Sequence, residues 1–198
     1  MLLIDNLCRP GLEPVNFRID AGEAVALCGP SGSGKTLLLR AIADLDPATG
    51  KVSLDGIDRE AMPAPAWRRQ VCYLAAEPGW WAERVADHVP DWAAAAPLAE
   101  RLLLPASIGA AAVARLSTGE RQRLALVRAM VGRPRVFLLD EPTSALDDAA
   151  RAAVEGVLAE RRAAGAALLW VTHDTAQAAR VAARRLEIAA GRVREAPP

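Results

Sequence analysis

Lysine is almost missing from this chain. Of its 24 basic residues only Lys35 and Lys51 are lysines, and the other 22 are arginines. The skew reads as a genome-wide bias, but it draws attention to any lysine that remains. Aromatic residues are scarce at 4%, with one tyrosine, Tyr73. Net charge is zero, which argues against a broad basic face for nucleic acid or anionic lipid. Cys8, Cys28 and Cys72 form no CxxC pair and no metal-binding spacing, and read as buried cytosolic thiols. No run approaches the roughly 20 apolar residues of a membrane span. The start, MLLIDNLCRPG, lacks the basic segment and apolar length of a signal peptide. Together these features predict a cytoplasmic protein that can still dock on a membrane partner.

Hydrophobic residues are plentiful. They make up 52% of 198 residues, enough to bury the core of one domain carrying an inserted subdomain. Short apolar runs of strand type alternate with helical patterns, and no internal repeat appears. Strands are expected at 15–19, 24–28, 52–54, 71–74, 136–139 and 167–171. Helices are expected at 34–43, 148–162 and 175–182. Residues 82–131 read as a helical insertion broken at Pro90, Pro97, Pro105 and Gly109. The alternation indicates an α/β core. The last three residues, APP, are expected to fray.

Residues 29–36, GPSGSGKT, match GxxxxGK[ST] at every defined position, between the strand AVALC and the helical LLLRAIA. That context is what a phosphate-binding loop requires. Gly29, Gly32 and Gly34 let the backbone turn tightly, so in the loop of Gly29, Pro30, Ser31, Gly32, Ser33 and Gly34 several N–H groups, Pro30 having none, can point at phosphate oxygens. The following helix start, with Leu37 in its first turn, adds a partial positive charge. Lys35 can reach the β- and γ-phosphates, and the Thr36 hydroxyl can bind Mg²⁺.

Residues 136–141, VFLLDE, form a buried strand with two acids at its exit. Acids often follow strands as turn or cap residues, so the pair alone is weak. Beside a phosphate loop, Asp140 can hold Mg²⁺ through water and Glu141 can polarise a water attacking the γ-phosphate. Further on, LSTGERQR places Ser117 and Glu120 at capping-box spacing where a helix begins. Such a box serves first to start the helix; a capped start with a glycine in its first turn also suits an anion.

GPSGSGKT, LSTGE, VFLLDEPTSALD and the histidine of VTHD, in that order, resemble the ATPase subunits of ABC transporters. The resemblance covers nearly the whole chain. It implies a P-loop NTPase of the ABC ATPase fold, with a RecA-like core, an N-terminal antiparallel β region and a helical subdomain at 82–131, all within one domain of 1–198. It also implies that two copies sandwich two ATP molecules head to tail. Ser117 and Gly119 would then contact the γ-phosphate of the nucleotide held by the partner copy. Glu120 stands where many relatives carry glutamine, and its capping geometry would turn its charge back toward Ser117. Asp147 matches a segment that crosses the dimer and can also cap the next helix. His173 matches a γ-phosphate-contacting histidine. His88 matches no motif and is expected at the surface.

Two departures from the family pattern stand out. Relatives place a glutamine that touches Mg²⁺ after the strand at 71–74, where YLAAEPGWW has Ala76; Glu77 or a water would have to substitute, or the loop keeps only a mechanical role. The pair Trp80–Trp81 suggests that role: one ring packs inward and the other faces a groove for a permease helix, against the alternative that both fill the helical subdomain. Relatives also stack adenine on an aromatic near the first strand, yet residues 1–16 hold none. Arg9 is the expected substitute, with loose base selectivity and GTP serving as well as ATP.

The resulting expectation is an ATP- and Mg²⁺-dependent subunit, homodimeric on ATP binding, peripheral at the inner face of the membrane and coupled to a permease on a separate chain, with no nucleic acid. The compact helical segment resembles small ATPases of two-component exporters, including iron exporters. The haem-exporter ATPase of cytochrome c maturation is a second short relative. A non-transport clamp on DNA or ribosomes and a P-loop kinase are the other readings; neutral charge disfavours the first, and the second lacks a recognisable substrate site.

Overall fold

The computed structural model describes residues 1–196. Two sheets share the framework. The strands β1 (Leu2–Arg9), β2 (Leu12–Ile19), β4 (Thr49–Leu54) and β5 (Ile57–Asp58) form an antiparallel sheet of order β2-β1-β4-β5. The second sheet has the order β10-β9-β3-β8-β7-β6. It contains β3 (Ala24–Cys28), β6 (Val71–Leu74), β7 (Val136–Asp140), β8 (Ala167–Val171), β9 (Arg184–Ala189) and β10 (Arg192–Glu195). Within it β9, β3, β8, β7 and β6 run parallel, and β10 adds an antiparallel edge.

Parallel strands covered on both faces read as continuous apolar runs. β3, β7 and β8 do so, with AVALC, VFLLD and ALLWV almost wholly buried. Their side chains alternate between two cores. Val25, Leu27, Val136, Leu138, Leu169 and Val171 face the antiparallel sheet and α1 (Lys35–Ile42). Phe137, Leu139, Leu168 and Trp170 face the opposite way, toward α4 (Thr118–Val131) and α5 (Asp148–Ala163).

Helix starts follow their caps. Asp91 caps α3 (Trp92–Arg101), Asp147 caps α5 and Asp174 caps α6 (Thr175–Val181), each accepting backbone N–H groups of the first turn. Ser117 and Glu120 form a complete capping box on α4. Pro97 does not break the chain as expected; it lies inside α3, where it costs one helical hydrogen bond but leaves the helix intact.

Several elements escape sequence reading. In β1, Asn6 takes φ 50° and the pairing with β2 shifts register around it, which destroys the period-two signal. The short helix α2 (Ala64–Gln70) hides behind Pro63 and Pro65. In β9 only Leu186 and Ile188 among charged neighbours mark the strand. Ala196, expected to fray, donates its N–H to the Arg185 carbonyl at 2.9 Å. Pro197 and Pro198 lie outside the described residues.

Candidate functional site

β3, β6, β7 and β8 all end at one edge of the parallel sheet. Leu27 and Asp140 both register with Val171, and Leu74 with Leu139. Ligands of open α/β sheets gather at this carboxyl edge. Here it collects the loop 29–36 after β3, Ala75–Glu77 after β6, Asp140–Glu141 after β7, and Thr172–His173 after β8.

The loop 29–36 wraps the start of α1. Gly34, the residue before that helix, has φ 108°, a conformation only glycine adopts without strain. A Cβ there would also press on the Leu12 side chain. Lys35 is 9% exposed, and its ammonium donates to the carbonyls of Gly29 (2.7 Å) and Pro30 (2.8 Å). It is therefore folded over the loop it belongs to. The Ser33 hydroxyl is buried without a hydrogen-bond partner, a donor available to an anion. Leu37 is half-buried and borders Gly11 in the β1–β2 turn.

Asp140, 5% exposed, is the hub. Its Oδ2 accepts hydrogen bonds from Thr36 Oγ1 at 2.7 Å and from the Tyr73 hydroxyl at 3.0 Å. Burial, then the Asp140 charge, push the Tyr73 phenol well above its usual range, so it stays a donor. Glu141 follows with φ 48°, a left-handed backbone that is uncommon outside glycine and often marks a functional position. Its Oε2 lies 3.6 Å from His173 Nδ1. Both side chains line a recess of about 80 Å³ with Thr172 and Asp174. That recess suits water rather than a nucleotide. Gln177 of α6 bonds Thr143 Oγ1 and Glu155, both at 2.8 Å, fixing the wall of the recess.

At the start of α4, Ser117 is exposed. Its N–H and hydroxyl both donate to Glu120 Oε2 at 2.8 Å, which holds the Glu120 carboxyl below its usual range. Gly119 packs so closely on the next loop that a Cβ would meet the Ala145 carbonyl at 3.0 Å. Asp147, exposed, accepts the Ala150 N–H at 2.8 Å.

Other residues depart from expectation. His88 is not at the surface but 4% exposed. Its Nε2 accepts the N–H groups of Trp81 and Ala82, both at 3.0 Å, and its Nδ1 lies 3.0 Å from the Arg84 carbonyl, so the ring pins the loop. Arg9 is committed to Asp46 at 2.6 Å, and its side chain is largely buried, which removes it as a free stacking plane. Trp80 packs against the helical core and Trp81 is 71% exposed, with the Arg128 guanidinium within 5 Å of both rings.

Sequence reading missed Gln122. This buried amide donates to Ser144 Oγ (3.1 Å) and the Ala76 carbonyl (3.4 Å) and accepts the Ala145 N–H (3.3 Å). It thus ties α4 to the β6 exit and to the loop after β7. The only signal was an amide between two arginines, in RQR.

The sequence model described as ABC transporter matches residues 12–144. The chain belongs to the ABC transporter family. Within it, this is an ATP-binding subunit with the fold of an ATPase. It is 38% identical over 175 residues to the probable iron export ATP-binding protein FetA of Escherichia coli K12, covering 82% of this chain and 78% of that protein. It is 39% identical, over 93% of its length, to the Fe(3+) ions import ATP-binding protein FbpC of Streptomyces coelicolor, of which it spans 57%. The solved ATP-binding subunit of an ABC transporter superposes with a TM-score of 0.89 at 28% identity, over 98% of this chain and 89% of that one. The ADP- and phosphate-bound dimeric cassette MJ0796 shares the fold, with a TM-score of 0.85 at 24% identity and full coverage of both chains.

Proposed function

We propose that residues 1–198 act as one ATPase domain, with 82–131 as its helical subdomain, and that two copies close around two ATP molecules to drive a permease on a separate chain. The observation that carries this reading is the convergence of Lys35, Thr36, Asp140, Glu141 and His173 at one sheet edge, with Thr36 and Asp140 2.7 Å apart.

Residues 29–37 hold the triphosphate through backbone N–H groups, the Ser33 hydroxyl and the Lys35 ammonium. Thr36 and Asp140 offer oxygen donors only, and among the described residues no cluster of three His, Cys, Asp or Glu could hold a metal alone. That donor set fits Mg²⁺, which takes one or two protein oxygens and completes its shell with phosphates and water. Bound there, Mg²⁺ offsets phosphate charge. Glu141 orients the attacking water, and His173 beside it contacts the γ-phosphate.

Ser117 and Gly119 grip the γ-phosphate held by the partner copy, and Glu120 stays folded onto its own helix start. Asp147 borders the dimer seam. With Arg9 occupied by Asp46, base recognition is loose and GTP substitutes for ATP. The exposed Trp81 face and the β6 exit form the permease contact at the inner face of the membrane. Relatives carry both export and import names, so cargo and direction lie with the permease.

Glu141→Gln tests the reading by light scattering. The variant should run as a dimer with ATP·Mg²⁺ or GTP·Mg²⁺ and as a monomer without nucleotide. A monomer under every nucleotide, or unchanged hydrolysis, contradicts it.

A further inference from the structure

Tyr73 is the only tyrosine of the chain, placed on β6 opposite Leu138 of β7. Its ring packs against the core between the two sheets, and its hydroxyl reaches Asp140 Oδ2. That oxygen also takes the Thr36 hydroxyl. Among the described residues no hydrogen bond reaches Asp140 Oδ1. Two donors on one oxygen fix the plane of a carboxylate and leave the other oxygen for a further partner. Thr36 itself is a candidate metal donor, so it cannot be relied on to orient Asp140 once a cation draws on its oxygen. Tyr73 has no such second role, and its rigid ring keeps the hydroxyl in place. Three residues further along the same segment, Ala76 presents a methyl group and its carbonyl is taken by Gln122. The β6 exit therefore brings one side-chain oxygen to the carboxylate hub, and Tyr73 supplies it.

We propose that Tyr73 is a positioning residue for the divalent cation of the nucleotide complex: its hydroxyl holds the Asp140 carboxylate in the orientation from which it serves that cation. The proposal rests on the assignment of Asp140 and Thr36 to the metal. An orienting hydrogen bond of ordinary net strength corresponds to about a five- to tenfold effect in binding. The effect should fall on the metal complex alone.

Tyr73→Phe keeps the ring and removes only the hydroxyl. Calorimetry of the full chain should show ATP binding in EDTA unchanged within about twofold and binding of ATP with Mn²⁺ weakened about five- to tenfold. The Mn²⁺ spin-resonance signal of the complex should also titrate at correspondingly higher metal. Equal weakening with and without metal would mean a merely structural role and overturn the proposal; so would no weakening. Asp140→Asn, measured in parallel, should remove most of the metal-dependent gain. If it does not, the metal assignment itself fails, whatever Tyr73→Phe shows.

Discussion

The carboxyl edge of the parallel sheet and the start of α4 both present groups suited to phosphate, but they are built differently. At the sheet edge, groups from four strands converge, and their polar atoms interlock: Lys35 on its own loop, Thr36 and Tyr73 on Asp140, His173 near Glu141. At α4 the hydroxyl and N–H of the exposed Ser117 are satisfied, among the described residues, only by Glu120, three residues away. The first region is an interlocked cluster within one chain. The second is a helix start that serves its own chain and, in the dimer proposed above, would become half of a site only against a second copy. If the proposed dimer holds, binding and turnover should separate: one chain should bind nucleotide, and two should be needed to hydrolyse it.

Lys35→Ala breaks the first region and should have the largest effect. Nucleotide binding by calorimetry should fall below detection and hydrolysis by about 100-fold or more, since the charge proposed to meet the phosphates is lost. Ser117→Ala strikes the second region. It should leave nucleotide affinity of the monomer within about twofold and lower hydrolysis about 10- to 100-fold, while costing the helix about 1 kcal/mol of cap. A mixture of the two variants sharpens the contrast. In a mixed dimer, one of the two sites pairs an intact loop with an intact α4 start and should recover part of the activity, measurable as a rise above either variant alone.

Trp81→Ala tests the face away from the nucleotide. Basal hydrolysis should be unchanged, stimulation by the reconstituted permease should drop several-fold, and stability should fall by about 0.5–1 kcal/mol through the lost Arg128 contact. Normal coupling would place the partner elsewhere.

The smallest effect concerns Asp46. Arg40 and then Arg9 hold its carboxyl well below the usual carboxylate range in the folded chain. The unfolded chain takes up a proton first as pH drops through about 3.9. The stabilisation is thus fully present at neutral pH and is lost as pH falls from there toward the folded value. Asp46→Asn should lower the melting temperature slightly at pH 7 and flatten its decline below pH 4.

Legibility in the sequence followed the same divide. The loop 29–36, the acids after β7 and the capping box at Ser117 are local patterns, and each was readable because its residues are close in the chain. Contacts made across the fold were not. Tyr73 and Asp140 are 67 residues apart and Gln122 and Ala76 are 46 apart, and nothing in their neighbours announces either bond. His88 was misplaced for a different reason: its partners lie only six and seven residues away, but they are backbone N–H groups, which leave no mark in a sequence. The tie between Arg9 and Asp46 left no local signal because the two lie 37 residues apart. The strands β3, β7 and β8 were found as apolar runs, while the bulge at Asn6 concealed β1.

The central claim is that two chains share each terminal phosphate, and a crystal structure of Glu141→Gln with ATP and Mg²⁺ tests it most directly. The account predicts a two-fold dimer with each γ-phosphate between Lys35 of one copy and Ser117 of the other, at hydrogen-bonding distance from both. A nucleotide bound at residues 29–36 with Ser117 of every neighbouring copy remote from it would contradict the account.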